Sequence, residues 1–326
     1  MSDKLKPDWA GDDLLSRLVN LMIQTKPIYR VMKHQARQVI IKTAEKNGIS
    51  WRDNCQVLEQ SPAKSLLSQI TNPNVTYPDY YLLPFHAYDE GNLCWQAAFE
   101  AMSATQSLGL RIWKNENLTW EVAQERLRNS FHDILDSYSP PIVNNILDIG
   151  CGVGVSTKTL HSYYQKRQDN LSVQTIGLDL SPYMLAVAKV TDENQEIDWK
   201  HGLAEGTEFE DNSFDVVTLQ FILHELPRQA TKAIFQEIRR ILRPGGVLGI
   251  VDNNPGSKVI QNLPAALFLL MKSTEPWSDD YYTFDVEKAL IELGFDYQIT
   301  LPSDPRHRTI VATKSEALHS YGMIYN

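Results

Sequence analysis

Three cysteines in 326 residues, Cys55, Cys94 and Cys151, are too few and too scattered for a disulfide framework, and their spacing matches no zinc-ligand pattern. No metal is therefore expected, and the expected compartment is a reducing one, the cytoplasm. Long apolar runs are missing as well: the longest, LPAALFLLM at 263–271, is about half the ~20 residues that a membrane-crossing helix needs. The opening MSDKLKPDWAGDD has no apolar segment of the kind that a secretory leader carries, so neither a leader nor a transmembrane segment is expected. Positive charge is in deficit, 31 Lys+Arg against 40 Asp+Glu for a formal net charge of -9. A nucleic acid, which is held largely through its phosphates, is a disfavoured partner. Internal repeats and low-complexity tracts are absent too. What remains is 43% hydrophobic content, enough for a sizeable core and, at this length, more often two domains than one.

The chain changes character at Ser139-Pro140-Pro141. Residues 1–140 read as a mostly helical lid or substrate region and 141–326 as a second domain. In the first part Leu14, Leu15, Leu18, Val19, Met22 and Ile23 recur at helical spacing and are expected in a core; Val31, Met32, Ala36, Val39 and Ile40 form a second stripe, stopped at Gly48. Thr119 stands where it can cap a helix whose apolar face runs through Trp120, Ala123, Leu127, Phe131 and Ile134. Beyond Pro141 short β-rich runs alternate with helical ones, which predicts βαβ units and a parallel sheet covered on both faces. Strands are expected at 145–149, 173–178, 198–200, 214–219, 247–251, 298–301 and 309–313, with helices at 156–166, 182–190, 228–242 and 285–293.

The first of these units carries Asn-Ile-Leu-Asp-Ile-Gly-Cys-Gly-Val-Gly at 145–154. A strand ends, glycines turn the chain, and a helix begins near Ser156. Glycines admit a ligand to the backbone, and the helix N-terminus offers unpaired N–H groups. The dinucleotide frame G-x-G-x-x-G is not met, because Val155 stands where its third glycine would fall. Asp148, on the strand just before the turn, would repel a pyrophosphate and favour a cationic ligand. Nicotinamide-dependent reduction is thereby disfavoured.

Leu147-Asp148-Ile149-Gly150-Cys151-Gly152-Val153-Gly154 resembles the first motif of the class I S-adenosylmethionine (SAM) methyltransferases. Further motifs of that family follow in order and spacing across residues 145–252. Gly177-Leu178-Asp179-Leu180-Ser181 resembles the end of its second strand, Asp211 to Val217 the entry to its fourth, and Arg243-Pro244-Gly245-Gly246 the turn before its fifth. The resemblance implies an α/β, Rossmann-like seven-stranded methyltransferase sheet with a helical N-terminal domain, and SAM as cofactor. It implies cofactor contacts at Asp148, Gly150, Cys151, Gly152 and Gly154, at Leu180 and Gln220, and at Asp179, whose carboxylate would accept from both ribose hydroxyls. One position departs from the family: relatives read G-D-A before the adenine loop, whereas Gly202-Leu203-Ala204-Glu205 puts leucine in place of the acid. Either Glu205 or the backbone around Ala204 takes that role. Cys151, with no base partner in the sequence, reads as a small loop residue rather than a nucleophile.

Methyl transfer from a sulfonium is an in-line displacement, which leaves the protein to align the acceptor, exclude water and, where needed, remove a proton. His224, in the segment after the fourth strand, is the candidate base. The aromatic-rich stretch 77–102 offers His86, Tyr88 and Asp89 as acceptor contacts, and Asn253 after the fifth strand offers another. The motif set is closest to the ubiquinone and menaquinone branch, so the implied acceptor is a small, apolar or aromatic molecule. A second reading is a SAM-binding regulatory or assembly protein without catalysis, its N-terminal stripe facing a partner helix or membrane surface.

Overall fold

The computed structural model describes residues 14–169 and 172–315; the opening segment, expected above to carry no leader, lies outside the described residues. Helices come first: α1 (Leu14–Gln24), α2 (Lys26–Lys46), α3 (Trp51–Gln60), α4 (Ala63–Ile70), α5 (Trp95–Ile112) and α6 (Trp120–Asp136). Alternation follows, with β1 (Asn145–Ile149), α7 (Val155–Arg167), β2 (Gln174–Asp179), α8 (Pro182–Val190), β3 (Ile197–His201), β4 (Phe214–Gln220), α9 (Arg228–Ile241) and β5 (Leu242–Asn253). The described chain closes with α10 (Lys258–Gln261), α11 (Ala265–Lys272), α12 (Ser278–Tyr282), α13 (Val286–Glu292), β6 (Phe295–Pro302) and β7 (His307–Lys314).

All seven strands form one sheet in the order β3-β2-β1-β4-β5-β7-β6. The central strands read as near-continuous apolar runs because both faces are covered: every residue of β4 is buried. β1 lies between β2 and β4, with Asp148 opposite Gly177 on one side and Thr218 on the other. In open α/β sheets ligands ordinarily bind at such a reversal of strand order, beyond the strand carboxyl ends.

The parallel sheet expected from the βαβ pattern holds except at one edge, where β7 runs antiparallel to both β5 and β6. The short connection from Pro302 to His307 permits a hairpin, whereas a parallel crossover needs a dozen residues or more. β5 is also longer than expected: it begins at Leu242, which pairs with Phe214 before the register shifts, so the Pro-Gly-Gly segment lies within the strand rather than ahead of it.

Ser181 caps α8 by accepting from the Met184 N–H at 3.2 Å, and Pro182 follows at the first helical position. Thr119 caps α6 in the same way. That helix packs Phe131 and Leu135 onto Val216, Val247 and Val251 of the sheet. The approach is so close at Gly249 that a Cβ there would lie 2.6 Å from Leu135 Cδ1. Burying side chains of this size contributes about 1.5–3 kcal/mol each.

The first apolar stripe is only half covered: Leu14, Leu15 and Leu18 are 88%, 58% and 52% exposed, whereas Val19, Met22 and Ile23 are partly buried, with α1 in contact with α11. Val31 and Val39 of α2 also face outward. Helical periodicity reports that one face is apolar, not which way tertiary packing turns it. Among the described residues no helix is long and apolar enough to cross a membrane.

Candidate active site

The turn after β1 is built from three left-handed glycines, Gly150, Gly152 and Gly154, with φ of 70°, 53° and 77°. Leu178 of β2 anchors it by accepting from the N–H groups of Gly150 (2.8 Å) and Cys151 (3.1 Å). A Cβ on Gly150 would run into Ile222, and one on Gly154 would sit 2.3 Å from the Trp199 indole. Gly152 differs: nothing lies within 4 Å of the place its Cβ would occupy. Two glycines are thus required by protein packing and the third leaves an open approach to the backbone. Gly154→Ala should combine left-handed strain with overpacking and lower unfolding free energy by about 2–4 kcal/mol, measurable by urea denaturation.

Asp179 closes the turn from the end of β2. Its carboxylate accepts from the Gly152 N–H at 2.8 Å and the Ser181 N–H at 2.7 Å. Burial pushes this acid up to about 6, against the pull of those backbone bonds. Asp148 lies deeper, 1% exposed. It accepts from Thr157 and Thr218 hydroxyls, each at 2.6 Å, and from Gln220 Nε2 at 3.3 Å. Desolvation raises its pKa, with the three side-chain bonds opposing. Cys151 is buried, and burial together with Asp179 and Asp148 holds its thiol well above the usual range, consistent with a loop residue that is not a nucleophile.

The segment after β4 brings Ile222 against Gly150 and then carries His224. His224 Nδ1 lies 2.8 Å from Asp252 Oδ1 at the end of neighbouring β5, and the His224 N–H donates to Asp252 Oδ2 at 3.2 Å. Burial alone would lower this imidazole; Asp252, with Glu275 and Glu225 adding, more than reverses that and holds it up to about 10. Asp252 is correspondingly lowered, burial being outweighed by His224. His86 converges on the same place, and its ring, the His224 ring and the Glu275 carboxylate bring atoms within 4.8 Å of one another. A tight Phe85–Tyr88 bridge and a 2.9 Å bond from the His86 N–H to the Thr274 carbonyl hold that loop, with φ of 47° at His86 and 70° at Ala87. Such backbone costs of order 1–3 kcal/mol per residue and persists where its surroundings fix it.

The remaining candidates are distributed unevenly. Glu205 accepts from the Tyr80 hydroxyl at 2.5 Å, linking the aromatic stretch to the loop that holds Ala204. Leu180 accepts at its carbonyl from His201. Gln220 is buried beside Asp148. Asn253 accepts at its side chain from Arg306 Nε at 2.9 Å. Tyr88 donates to Glu100 at 2.8 Å, within a network that also holds Arg37. Asp89 does not join His86 and His224: its side chain is 76% exposed and pairs with Lys33 at 2.8 Å. Sequence reasoning did not single out Thr157 and Thr218 beneath the turn, Trp199 against it, or Glu275. No local motif marks any of them; their roles come from strand register and loop packing.

A family model described as a methyltransferase domain matches residues 147–250. The chain is 31% identical over 167 residues to an uncharacterized methyltransferase of Synechocystis sp., covering 51% of this chain and 73% of that protein. It is 31% identical over 120 residues to a ubiquinone/menaquinone biosynthesis C-methyltransferase of Desulfotalea psychrophila, covering 37% of this chain and 46% of that one. The match thus spans under half the length of that relative. Among solved structures, the CurJ carbon methyltransferase superposes with a TM-score of 0.51 at 18% identity, covering 87% of this chain and 71% of that chain. A phosphoethanolamine N-methyltransferase of Haemonchus contortus in complex with SAM gives 0.50 at 19% identity, covering 76% and 62%. At those identities the likeness is one of fold.

Proposed function

Because the chain belongs to the class I SAM-dependent methyltransferases, we propose that it methylates a small, apolar or aromatic metabolite. The observation that carries this reading is the His224–Asp252 pair, 2.8 Å apart at the ends of β4 and β5, on the segment whose Ile222 covers Gly150. Bound SAM supplies a sulfonium methyl already activated for displacement. Asp179 would accept from the ribose hydroxyls while its backbone partners, the Gly152 and Ser181 N–H groups, keep the carboxylate fixed, and the open side of Gly152 would let the nucleoside approach. The backbone near Ala204, or Glu205, would meet the adenine.

His224 takes the acceptor's proton, and Asp252 fixes the tautomer and orientation of the ring. Its high pKa in the free chain would fall toward neutrality beside a sulfonium. Tyr77, Tyr80 and Tyr81 precede His86 closely and would offer apolar area to a flat acceptor. Relatives named for quinone methylation support that class of acceptor. The test is incubation with SAM and a panel of hydroquinones and phenols, following S-adenosylhomocysteine by mass spectrometry. Acceptor-dependent product is expected; cofactor binding without product from any aromatic acceptor would sink the reading.

Cofactor binding should itself depend on pH. Asp179 stands at about 6 in the free chain, and it must be ionised to accept from both hydroxyls, so binding releases its proton at low pH. SAM affinity is expected to be flat above pH 7 and to fall by up to about tenfold per unit below pH 6. Calorimetry between pH 5 and 8 measures it; a flat profile would remove Asp179 from the ribose.

A further inference from the structure

Residues 14–46 carry seven lysines and arginines against one acid, Glu45, a net of +6 in a chain whose total is -9. Lys33 and Arg37 pair with Asp89 and Glu100. Arg17, Lys26, Lys42 and Lys46 are exposed and enter no ion pair among the described residues. Apolar side chains stand beside them. Leu14, Leu18 and Leu21, spaced by four and three residues, share one face of α1, with Arg17 at its margin, and all three leucines are exposed. Val19, Met22 and Ile23 fall on the flank and back of the helix and are partly buried. On α2, Ile28, Val31 and Val39 are exposed along a face that continues into Lys42 and Lys46. Leu267 of α11, the helix that α1 contacts, is 51% exposed. The Tyr29 hydroxyl donates to the Ser273 carbonyl at 2.6 Å and ties α2 to the end of α11, so these helices belong to the folded body and are not a loose arm.

Exposed apolar side chains grouped in this way ordinarily mark an interaction site, and the charge around them says of which kind. A nucleic acid would meet the cations but not the leucines. A second copy, docked symmetrically, would set these cations against their own counterparts, an unfavourable like-charge contact. We propose that α1 and α2 dock the protein on an anionic lipid surface, with Leu14, Leu18 and Leu21 entering below the headgroups and the arginine and lysines among the lipid phosphates. α1 has 11 residues, about half of what spanning requires, so it lies along the interface and not across the bilayer. The inference concerns a surface and not the reaction, and it stands whichever acceptor is methylated.

Flotation of the full chain with vesicles of phosphatidylcholine, alone or mixed with phosphatidylglycerol, tests it. At low ionic strength wild type should bind the anionic vesicles at least about tenfold more tightly than the neutral ones, and raising salt to about 0.5 M should narrow that difference. Arg17→Gln and Lys42→Gln should each weaken binding to the anionic vesicles about fivefold, the contribution of one charge near such a surface. Combining Leu14→Ser, Leu18→Ser and Leu21→Ser should weaken it roughly a hundredfold, with SAM affinity unchanged by calorimetry. Wild type that fails to float with anionic vesicles, or floats equally with both kinds, would overturn the proposal, and this comparison stands even if the triple variant does not fold. A concentration-dependent dimer in analytical ultracentrifugation that the folded triple variant abolishes would overturn it too, giving the leucine face to a second copy of the chain.

Discussion

Replacing Asp179 by alanine is expected to weaken SAM and S-adenosylhomocysteine roughly 10²–10⁴-fold, from two hydrogen bonds to a charged group at about 1.5–3 kcal/mol each. The carboxylate acts twice. It accepts from Gly152 and Ser181 N–H groups, so it holds the glycine turn in shape, and in the proposed pose it receives the ribose hydroxyls. Folding should survive the change. Burial already disfavours the ionised acid, as its raised pKa shows, and the turn keeps its anchors from Gly150 and Cys151 N–H groups to Leu178. Asp179→Asn, which can still accept at one oxygen but lacks the charge, should lie between. Calorimetry with a melting curve on each variant separates binding from stability, and full SAM affinity in a folded Asp179→Ala would displace the nucleoside from this position.

The cofactor side was far more legible in the sequence than the acceptor side, for a geometric reason. Glycine spacing, the strand before it and Asp179 at the end of the next strand are local signals. The ranges expected for β1 and α8 match the observed ones. Asp252 is different: it meets His224 across 28 residues only because β4 and β5 are neighbours, Gln220 opposite Val251. His86 and Glu275 reach the same point on loops tied by the His86–Thr274 bond, which no periodicity encodes. Among the polar residues between aromatics, the sequence could not distinguish His86, which turns toward His224, from Asp89, which turns outward to Lys33. The antiparallel edge was missed because the chain's β-rich runs carry no sign of direction; the length of the connection between β6 and β7 does.

His224→Ala is expected to lower kcat by roughly 10²–10⁴ with SAM affinity unchanged, the usual contribution of a positioned proton acceptor. The pH dependence gives the argument its sign. In the free chain Asp252 holds His224 up to about 10, so at neutral pH the ring is mostly protonated and cannot accept. The rate with an acceptor that must lose a proton should therefore climb with pH, by about tenfold per unit below the apparent pKa. With SAM saturating, the sulfonium disfavours the imidazolium, so the apparent pKa of kcat should lie below that of the cofactor-free protein. Asp252→Asn removes the charge that raises the ring: the rising limb should move to lower pH, while the plateau falls because the ring loses its fixed tautomer. A structural role for the pair would lower rate at every pH and leave the shape of the profile alone. Should His224→Ala retain both rate and profile, the acceptor arrives already ionised and the protein need only align it, which proximity and orientation can accomplish without a base.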